Sequence, residues 1–366
     1  MSEECEFKTD SKLLCTFFTV FRDVTNFGME HDAHVAVASV LSNFFHLVVL
    51  TRKSMRNTSI NLIMAAVALS DIYSQFFVIE QKIKSYYENL EMDKCYTGTS
   101  YFNVASDIVL KTGREFSRRS STWLSFCIAL VRTLVIRNPM NPTFEQLSKP
   151  KAGIIFILVI CLTDLVISII GHLQYEILSE RIRIDCGPTT KDIKKVTSYR
   201  LDFSLFFMNN DEKYLKMYTD FDAIISKFIP CILFLFATIF LILELRKAEV
   251  RRQKLASSNS NSNSNSGKTT KLVLCLTITF FIAEFPLALI YALRPYFDDA
   301  YGILLYCYYG DYLFTTILSI STASHMIICL FMSSQYREAA KSVATCGWSS
   351  RRNNNTVTVR TSSHEH

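Results

Sequence analysis

Seven apolar segments divide this chain, and each is long enough to cross a bilayer as a helix. In chain order they are residues 33–51, 60–80, 106–136, 152–172, 222–245, 271–293 and 303–332. A spanning helix needs about 20 mostly apolar residues, because the hydrocarbon core of a bilayer is roughly 30 Å thick. The third and seventh segments are the most polar. The pattern predicts an all-α membrane protein built as a bundle of seven transmembrane helices.

The basic residues predict how this bundle is oriented. The turn after the first segment reads TRKSMR, ELRKAEVRRQK follows the fifth segment, and QYREAAK follows the seventh. Lysine and arginine are enriched in cytoplasmic loops, so these loops predict a multi-pass protein of the cell membrane with its N-terminus outside and its C-terminus in the cytoplasm. The net charge of +6 is explained by this asymmetry and does not indicate nucleic-acid binding. The acidic start MSEECE is not typical of a cleaved signal peptide.

Composition divides the chain into three regions. We expect an extracellular arm over residues 1–32, a helical domain over residues 33–345, and a disordered cytoplasmic tail over residues 346–366. Within the domain, residues 247–270 contain the repeat SSNSNSNSNSG, which is too polar to form a core and predicts a flexible linker. The external loop over residues 173–221 mixes aromatic and charged residues, and we expect it to be partly ordered.

Four of the 11 cysteines lie outside the cell on this topology, at Cys5, Cys15, Cys95 and Cys186. An oxidising exterior permits disulfides, and a Cys95–Cys186 bridge would pin the long loop to the top of the third helix. Cys5 with Cys15 is a second, weaker pairing. The sequence has no Cys-x-x-Cys spacing and no Gly-rich phosphate loop. We therefore expect no metal and no enzyme.

Ionisable residues at membrane depth are costly and tend to face the interior of a bundle. Three segments carry polar residues at helical spacing on one face: Asp71, Ser74 and Gln75; Asp164, Ser168 and His172; Thr277, Glu284 and Tyr291. For the hydroxyl and imidazole groups, hydrogen bonds between helices are a sufficient explanation. For the carboxylates Asp71 and Glu284 we expect a specific partner.

The third segment has the highest charge, in the stretch LKTGREFSRRSST. It carries the five ionisable residues Lys111, Arg114, Glu115, Arg118 and Arg119. As part of a helix, these side chains must line a wet cavity that opens outward, with Glu115 pairing Arg118 or Arg119. The alternative is that the helix starts late and residues 106–119 form a loop.

The ordered set of residues resembles the rhodopsin-like G-protein-coupled receptors over residues 30–345. The matches are Asn43, Asn61, Leu62, Ala68, Leu69, Asp71, Arg132, Pro230, Phe280 and Pro286. The departures are Val131 and Thr133 beside Arg132, Glu284 in place of a tryptophan, and His325, Met326 and Cys329 in place of Asn, Pro and Tyr. With strings such as SRRSSTWLS and FFIAEFPLA, the chain resembles the nematode serpentine receptors of class W, which are similar to FMRFamide-type neuropeptide receptors.

The resemblance implies roles for several residues in activation. Arg132 would meet the Gα subunit, while Phe280, Pro286 and Pro230 would belong to the helices that move. Val131 stands where the family has the acid that pairs with this arginine in the resting state, so we expect Arg132 to have a different resting-state partner. By alignment, Arg118 would face Glu284 and form an ion pair with it, which ligand binding would break or tighten.

The resemblance also limits the chemical classes of ligand that the receptor would bind. Arg114 stands where amine receptors have an aspartate, and Ser319 stands where opsins have the retinal-binding lysine. An extracellular peptide or an acidic small molecule remains. The expected contacts are Arg114, Glu115, Arg118, Glu284, Tyr291, Tyr308, Asp311 and Tyr312.

Two further expectations follow from the resemblance. A polar core formed by Asn43, Asp71, Ser121, Ser321 and His325 is similar to the family's sodium site, although the nearby arginines oppose a cation. QYREAAK would form the short amphipathic eighth helix, with Tyr336 inward and basic residues on the lipid surface. Cys346 is a candidate palmitoylation site.

The function implied is a G-protein-coupled receptor activated by an FMRFamide-like neuropeptide, with a heterotrimeric G protein and arrestin as partners. The alternative is a chemosensory receptor for environmental small molecules with the same coupling. A transporter or channel is less consistent with the sequence, which shows neither paired repeats nor broken helices.

Overall fold

The computed structural model describes residues 12–92, 98–138, 141–184, 194–209, 212–256, 281–293, 297 and 301–345. Its first helices are α1 (Lys12–Leu50), α2 (Ser59–Met92), α3 (Tyr101–Arg137), α4 (Pro142–Leu147) and α5 (Pro150–His172). A hairpin follows, formed by β1 (Tyr175–Ile184) and β2 (Lys194–Phe203). The remaining helices are α6 (Leu205–Met208), α7 (Lys213–Ala223), α8 (Ile229–Ala256), α9 (Phe281–Leu293), α10 (Tyr301–Met332) and α11 (Ser334–Ala344).

The predicted seven-helix bundle is confirmed. Within the described residues, six helices are long and apolar enough to cross a membrane, and α9 is a shorter apolar helix at the place of the sixth segment. Helix α3 occupies the centre, where it contacts α2, α5 and α8, while α1 packs between α2 and α10. A central position explains why the most polar segment can cross the membrane, since its side chains contact protein on several sides.

Helix α3 includes the whole charged stretch, so the alternative of a loop over residues 106–119 was wrong. Ser100 begins the helix as an N-cap, because its hydroxyl accepts a hydrogen bond of 3.2 Å from the backbone N–H of Asn103. Lys111 therefore lies more than two turns inside the helix. The ionisable side chains of α3 are held at helical spacing on the faces that meet α2, α5 and the fifth membrane-spanning helix.

The fifth segment is a continuous helix with one wide turn. Helix α7 passes into a π-helical turn over Ile224–Phe228 and then into α8. A π-turn adds one residue to the helical repeat and changes which side chains face inward. Ser226 and Lys227, in this turn, are both buried in the bundle.

Close backbone packing holds α5 against α2. Gly153 is buried, and a Cβ at this position would lie 2.9 Å from the backbone of Ser59. Ser59 begins α2, and its hydroxyl donates a hydrogen bond of 2.5 Å to the carbonyl of Leu147. Only glycine permits this approach without displacing a helix.

The long loop over residues 173–221 contains an antiparallel hairpin that the sequence did not predict as strands. Ile177 pairs with Leu201, and Ile182 pairs with Val196. The hairpin is attached to the outer end of α3, because the backbone N–H of Tyr199 donates to the carbonyl of Thr99 at 2.9 Å. The expected partial order of this loop is confirmed.

Of the four cysteines that were expected outside the cell, Cys15 is disulfide-bonded. The other three, Cys5, Cys95 and Cys186, lie outside the described residues. The Cys95–Cys186 bridge therefore stays a prediction.

Helix α11 is the predicted eighth helix. Ser333 caps it through a hydrogen bond from the backbone N–H of Tyr336 at 3.1 Å. Tyr336 is 1% exposed, and its hydroxyl shares a hydrogen bond of 2.7 Å with Nδ1 of His46 on α1. Burial raises the pKa of Tyr336 above the usual value for a phenol, so the side chain is neutral at physiological pH. Its predicted inward orientation is confirmed.

Candidate functional site

A cavity of about 390 Å³ lies between α1, α2, α3 and α10 in the outer half of the bundle. The side chains that line it come mainly from α1, α2 and α10, and α3 contributes Arg114. Its apolar wall includes Met29, Val35, Phe77 and Val78. The volume is within the range of small-ligand sites, which is about 300–1,000 Å³.

Four charged side chains of both signs line this outer cavity. Lys82 Nζ lies 3.5 Å from Oδ1 of Asp32, which joins α2 to α1. The guanidinium carbon of Arg114 lies 5.1 Å from the ring centre of Phe77, a cation–π distance. Oδ1 of Asp311 and Nε of Arg114 are buried and have no hydrogen-bond partner among the described residues. A buried polar atom without a partner is costly, so both are available to a ligand.

The predicted ligand contacts fall into different parts of the bundle. Arg114, Asp311 and Tyr312 line the outer cavity. Tyr308 is 49% exposed and does not itself line the cavity. Its ring packs edge-on against that of Tyr312, with the ring centroids 5.0 Å apart, so it supports the cavity wall from the outside. The remaining predicted contacts lie deeper in the bundle, beside cavities that have only the volume of a water molecule: Glu115, Arg118, Glu284 and Tyr291.

The deep polar cluster contains Glu115, Arg118 and Glu284, as the sequence predicted, together with Lys227. They line a cavity of about 10 Å³. Lys227 Nζ lies 3.1 Å from the ring centre of Tyr291, so the aromatic face covers the ammonium group. Nζ has no hydrogen-bond acceptor in the part of the chain that the structure describes. Arg119 also lines this cavity, so two acids and three bases surround it at membrane depth.

The predicted ion pair between Arg118 and Glu284 is not among the ion pairs of the described residues. The two side chains line the same two cavities. The two residues are near each other, as the alignment predicted, but their charges act across a cavity and not by direct contact.

Arg119 forms the most extensive polar network of the described bundle. Its guanidinium group donates to Asp222 on α7 at 2.6 Å, to Ser226 in the π-turn at 2.6 Å, and to Ser168 on α5 at 3.1 Å. The prediction that Glu115 would pair with Arg118 or Arg119 was wrong for Arg119, because Asp222 takes that place. Arg119 is 3% exposed and joins three helices.

A second buried carboxylate completes this network. Oδ2 of Asp164 accepts a hydrogen bond of 2.6 Å from the hydroxyl of Ser120, the neighbour of Arg119 in α3. The polar face predicted for the fourth segment therefore meets α3. Asp164 and Asp222 both lie near Arg119, and each carboxylate accepts a further hydrogen bond, from Ser120 and Ser226 respectively.

Asp71 lies at the centre of a third cavity, of about 20 Å³, between α2, α3, α9 and α10. Its Oδ1 accepts a hydrogen bond of 2.7 Å from Ser121, and its Oδ2 lies 4.0 Å from Nδ1 of His325. Ser321 also lines the cavity. Asn43 does not line it and donates instead to Ser39 at 3.2 Å.

The donor set around Asp71 fits one small cation. Oδ2 of Asp71 and Oε1 of Gln75 are buried without a hydrogen-bond partner among the described residues, and both line this cavity. Asp71 is the carboxylate that this cavity does not share with the deep polar cluster, whereas Glu284 and Arg118 line both cavities. A volume of about 20 Å³ holds a single ion or water.

The end of α3 away from the hairpin carries Arg132 between buried neighbours. Val131 is 1% exposed, and the hydroxyl of Thr133 donates to the carbonyl of Ala237 on α8 at 3.2 Å. Arg132 itself is half-buried. Thirteen residues separate it from Arg119, which is about 20 Å along the helix axis. The outer cavity and Arg132 are therefore at opposite ends of the bundle.

The helix prolines occupy the predicted positions. Pro230 lies buried at the start of α8, and Pro286 lies in α9 two residues after Glu284. Phe280, Thr277 and Cys346 fall outside the described residues. In the described part of the chain, no group of three or more His, Cys, Asp or Glu side chains could hold a metal ion.

Sequence reasoning missed four residues of these sites: Asp32, Lys82, Asp222 and Lys227. Asp32 and Lys82 fall at the ends of the predicted spans, where a charge is ordinary. Asp222 and Lys227 lie at the start of an apolar segment, and the π-turn that directs Lys227 inward leaves no pattern in the sequence. The signal that the sequence did offer for these residues was an ionisable side chain within about one helical turn of the end of an apolar segment.

Comparison with known proteins identifies the fold and its function class. A family model described as "Serpentine type 7TM GPCR chemoreceptor Srw" matches residues 30–347. The chain belongs to this family. A curated relative, the G-protein coupled receptor dmsr-1 of Caenorhabditis elegans, is 22% identical over 357 residues, covering 87% of this chain and 69% of that protein. The Srw chain is thus a multi-pass G-protein-coupled receptor, and its class implies an extracellular ligand and a G protein as partners.

Proposed function

We propose that this Srw receptor is activated by an amidated neuropeptide of the FMRFamide type. The observation that carries the proposal is the outer cavity, which combines an available carboxylate, an available guanidinium N–H and an aromatic wall. A peptide ending in Arg-Phe-amide offers one complementary group to each.

The chemistry of the cavity favours a ligand with a cation and an aromatic ring. Asp311 would accept hydrogen bonds from the ligand's guanidinium group, which a carboxylate binds in a bidentate manner. Arg114, stacked on Phe77, would donate to a peptide carbonyl. Tyr312 and Phe77 would contact the phenyl ring, since aromatic pairs and cation–π contacts contribute beyond the buried area.

The second candidate is a chemosensory receptor for small molecules, which the description of the family favours. A small acidic molecule would bind Arg114 and avoid Asp311. The two candidates therefore differ in which charged side chain they need. The hairpin above α3 supports the peptide, because it adds contact surface outside the cavity.

Helix α10 gives a physical route from the ligand to the centre of the bundle. Asp311, Thr315 and Ser319 face the outer cavity, and Thr322 and His325, farther along the same helix, face the Asp71 cavity. A shift of α10 on ligand binding would change both cavities together. The signal would then reach α3, where Arg132 contacts the Gα subunit.

Several expectations belong to this proposal. The receptor lies in the cell membrane with its N-terminus outside, so that the hairpin and outer cavity face the ligand. The outer part of α1, which was expected within an arm over residues 1–32, packs on α10 and extends the receptor domain of residues 33–345. Residues 346–366 act as the tail, and Cys346 carries a palmitoyl chain. Asp71 and Gln75 hold a sodium ion that balances the buried charge. Arrestin is a further partner.

The test is G-protein activation by a panel of peptides ending in Arg-Phe-amide, measured as nucleotide exchange in membranes that contain the receptor. Asp311→Asn keeps size and hydrogen bonding but removes the charge. We expect potency to fall by about 100-fold, as for loss of one charge-assisted contact. Asp23→Asn, an exposed acid on α1, is the matched control and should change nothing.

A second arm distinguishes the two candidates. If small carboxylic acids activate the receptor, and Arg114→Gln removes the response while Asp311→Asn keeps it, the peptide proposal fails and the chemosensory one stands. A receptor that reaches the surface and responds to neither panel would contradict both ligand classes.

A further inference from the structure

The outer part of α1 carries an apolar stripe that faces away from the bundle. Leu13, Phe17, Val20, Val24 and Phe27 are each more than half exposed, and we call this set the α1 seam. The opposite face of the same segment is packed: Phe18 is 1% exposed, and its ring lies 4.8 Å from that of Tyr306 on α10. The α1 seam is therefore a surface, separate from the core of the protein.

The α1 seam projects beyond the hydrocarbon core of the membrane. Helix α1 has 39 residues, which at a rise of about 1.5 Å span nearly 60 Å, whereas the hydrocarbon core is roughly 30 Å thick. If Leu50 marks one face of the membrane, the segment before residue 31 lies outside the lipid tails. The polar residues of this segment agree, since Arg22 Nε lies 3.6 Å from Asp23 Oδ1 on the exposed surface. Five large apolar side chains at this level need a partner other than lipid tails.

The position of the α1 seam favours another helix as its partner. Successive members are four, three, four and three residues apart, which places all five on one stripe of the helix. A second helix fits such a stripe, because its side chains enter the holes between those of the first. Since this segment continues into the membrane-spanning part of α1 as one helix, the stripe stands off the lipid surface and cannot lie flat on it.

We propose that the α1 seam pairs with the α1 seam of a second copy of this chain, as a parallel two-helix coiled coil outside the membrane. The bilayer holds both copies the same way up, so their α1 helices run parallel. A two-fold axis along the membrane normal then brings each member of the seam against its own copy. The proposal needs only the multi-pass fold and does not depend on the ligand.

The area is sufficient for a specific contact. Each of the five side chains offers roughly 100 Å² of exposed surface, so that two copies would bury about 1,000 Å², near the lower limit for a specific interface. Membrane anchoring confines both copies to two dimensions, which raises their effective concentration. Asp23 borders the seam, and its contact with Arg22 in the same chain reduces repulsion between copies.

The experiment is cysteine cross-linking of the full-length receptor in native membranes under mild oxidation. Val20→Cys and Val24→Cys place thiols within the seam, and Asn26→Cys places one on an exposed position of the same segment off the seam. The expected result is a covalent dimer for the two seam variants, at least about tenfold above that of Asn26→Cys. Surface biotinylation establishes that all three variants reach the membrane.

A second pair of variants tests the energetics. Val20→Asp with Val24→Asp brings like charges together in the dimer, and we expect the dimer fraction to fall by about tenfold. Asn26→Asp is the control. Equal cross-linking at all three positions would indicate random collision and overturn the proposal. A monomer whose seam thiols are protected from a water-soluble maleimide would also overturn it, and would place the seam on lipid head groups.

Discussion

Nη2 of Arg119 lies 2.6 Å from Oδ1 of Asp222, in an ion pair whose side chains are 2% and 20% exposed. The pair joins the centre of α3 to the outer part of the fifth membrane-spanning helix, next to the π-turn. Because Ser168 and Ser226 also bond to Arg119, the contact fixes three helices around one guanidinium group.

The first prediction concerns the stability of this ion pair. Arg119→Met leaves Asp222 as a buried charge without its partner, and we expect the free energy of unfolding to fall by about 3–5 kcal/mol. Thermal denaturation of the purified receptor measures it. Arg200→Met removes the exposed hairpin contact with Glu180, at 3.6 Å, and should cost less than about 0.5 kcal/mol.

A double variant separates the pair from ordinary packing. Arg119→Met with Asp222→Asn removes both charges, and its loss of stability should be smaller than the sum of the single losses by about 1–3 kcal/mol. Additive losses would show that the ion pair contributes nothing specific.

The second prediction concerns G-protein activation at the cytoplasmic end of α3. Arg132→Ala should abolish nucleotide exchange by the G protein and leave surface expression unchanged, because the side chain is only half-buried and Val131 and Thr133 hold the helix in place. Arg137→Ala, at the exposed end of the same helix, is the control and should signal normally. Full signalling by Arg132→Ala would contradict the role assigned to this residue.

The third prediction concerns sodium at Asp71. An ion that binds only the folded receptor stabilises it by about 1.4 kcal/mol when its concentration is ten times the dissociation constant. The melting temperature should therefore be higher in sodium chloride than in potassium chloride at equal ionic strength. Asp71→Asn should remove this difference, and Asp164→Asn, a buried carboxylate outside the cavity, should keep it. Equal melting temperatures for the unaltered receptor would mean that water occupies the cavity.

The fourth prediction concerns α11. Tyr336→Phe removes the hydrogen bond to His46 and leaves a buried imidazole nitrogen without a partner, at a cost of roughly 1–3 kcal/mol. Hydrogen exchange of the α11 amides should speed up, while exchange in α2 stays constant. Tyr86→Phe, at a tyrosine that is 64% exposed, is the control. Unchanged exchange would show that packing against Val49 and Leu50, without the hydrogen bond, holds the helix.

The architecture was predictable because the membrane restricts it. Backbone groups in lipid must bond within a helix, so each apolar segment long enough to span had one available structure. The charges of α3 were likewise informative, since lipid excludes them and they must face protein or water. Arg114, Glu115, Arg118 and Glu284 do line internal cavities, as expected.

The partners of those charges were not predictable from spacing along one helix. The sequence suggested that Glu115 pairs with Arg118 or Arg119, since residues three and four apart lie on one face of a helix. In the structure the partner of Arg119 is Asp222, which is 103 residues away in the chain. The packing of α7 against α3 determines which carboxylate lies near Arg119. The extent of α1 was missed for a related reason: its outer part is stabilised by Tyr306 and Tyr309 of α10, and hydropathy does not report contacts between helices.

The same 103-residue separation has a consequence for the synthesis of the protein. Ribosomes add about 5–20 residues per second, so Arg119 is made roughly 5–20 s before Asp222. During that interval Arg119 has no carboxylate from α7, and a lone cation is excluded from lipid. We therefore expect α3 to stay shielded from lipid beside the translocon until the fifth helix emerges, so that this ion pair forms late in the assembly of the receptor.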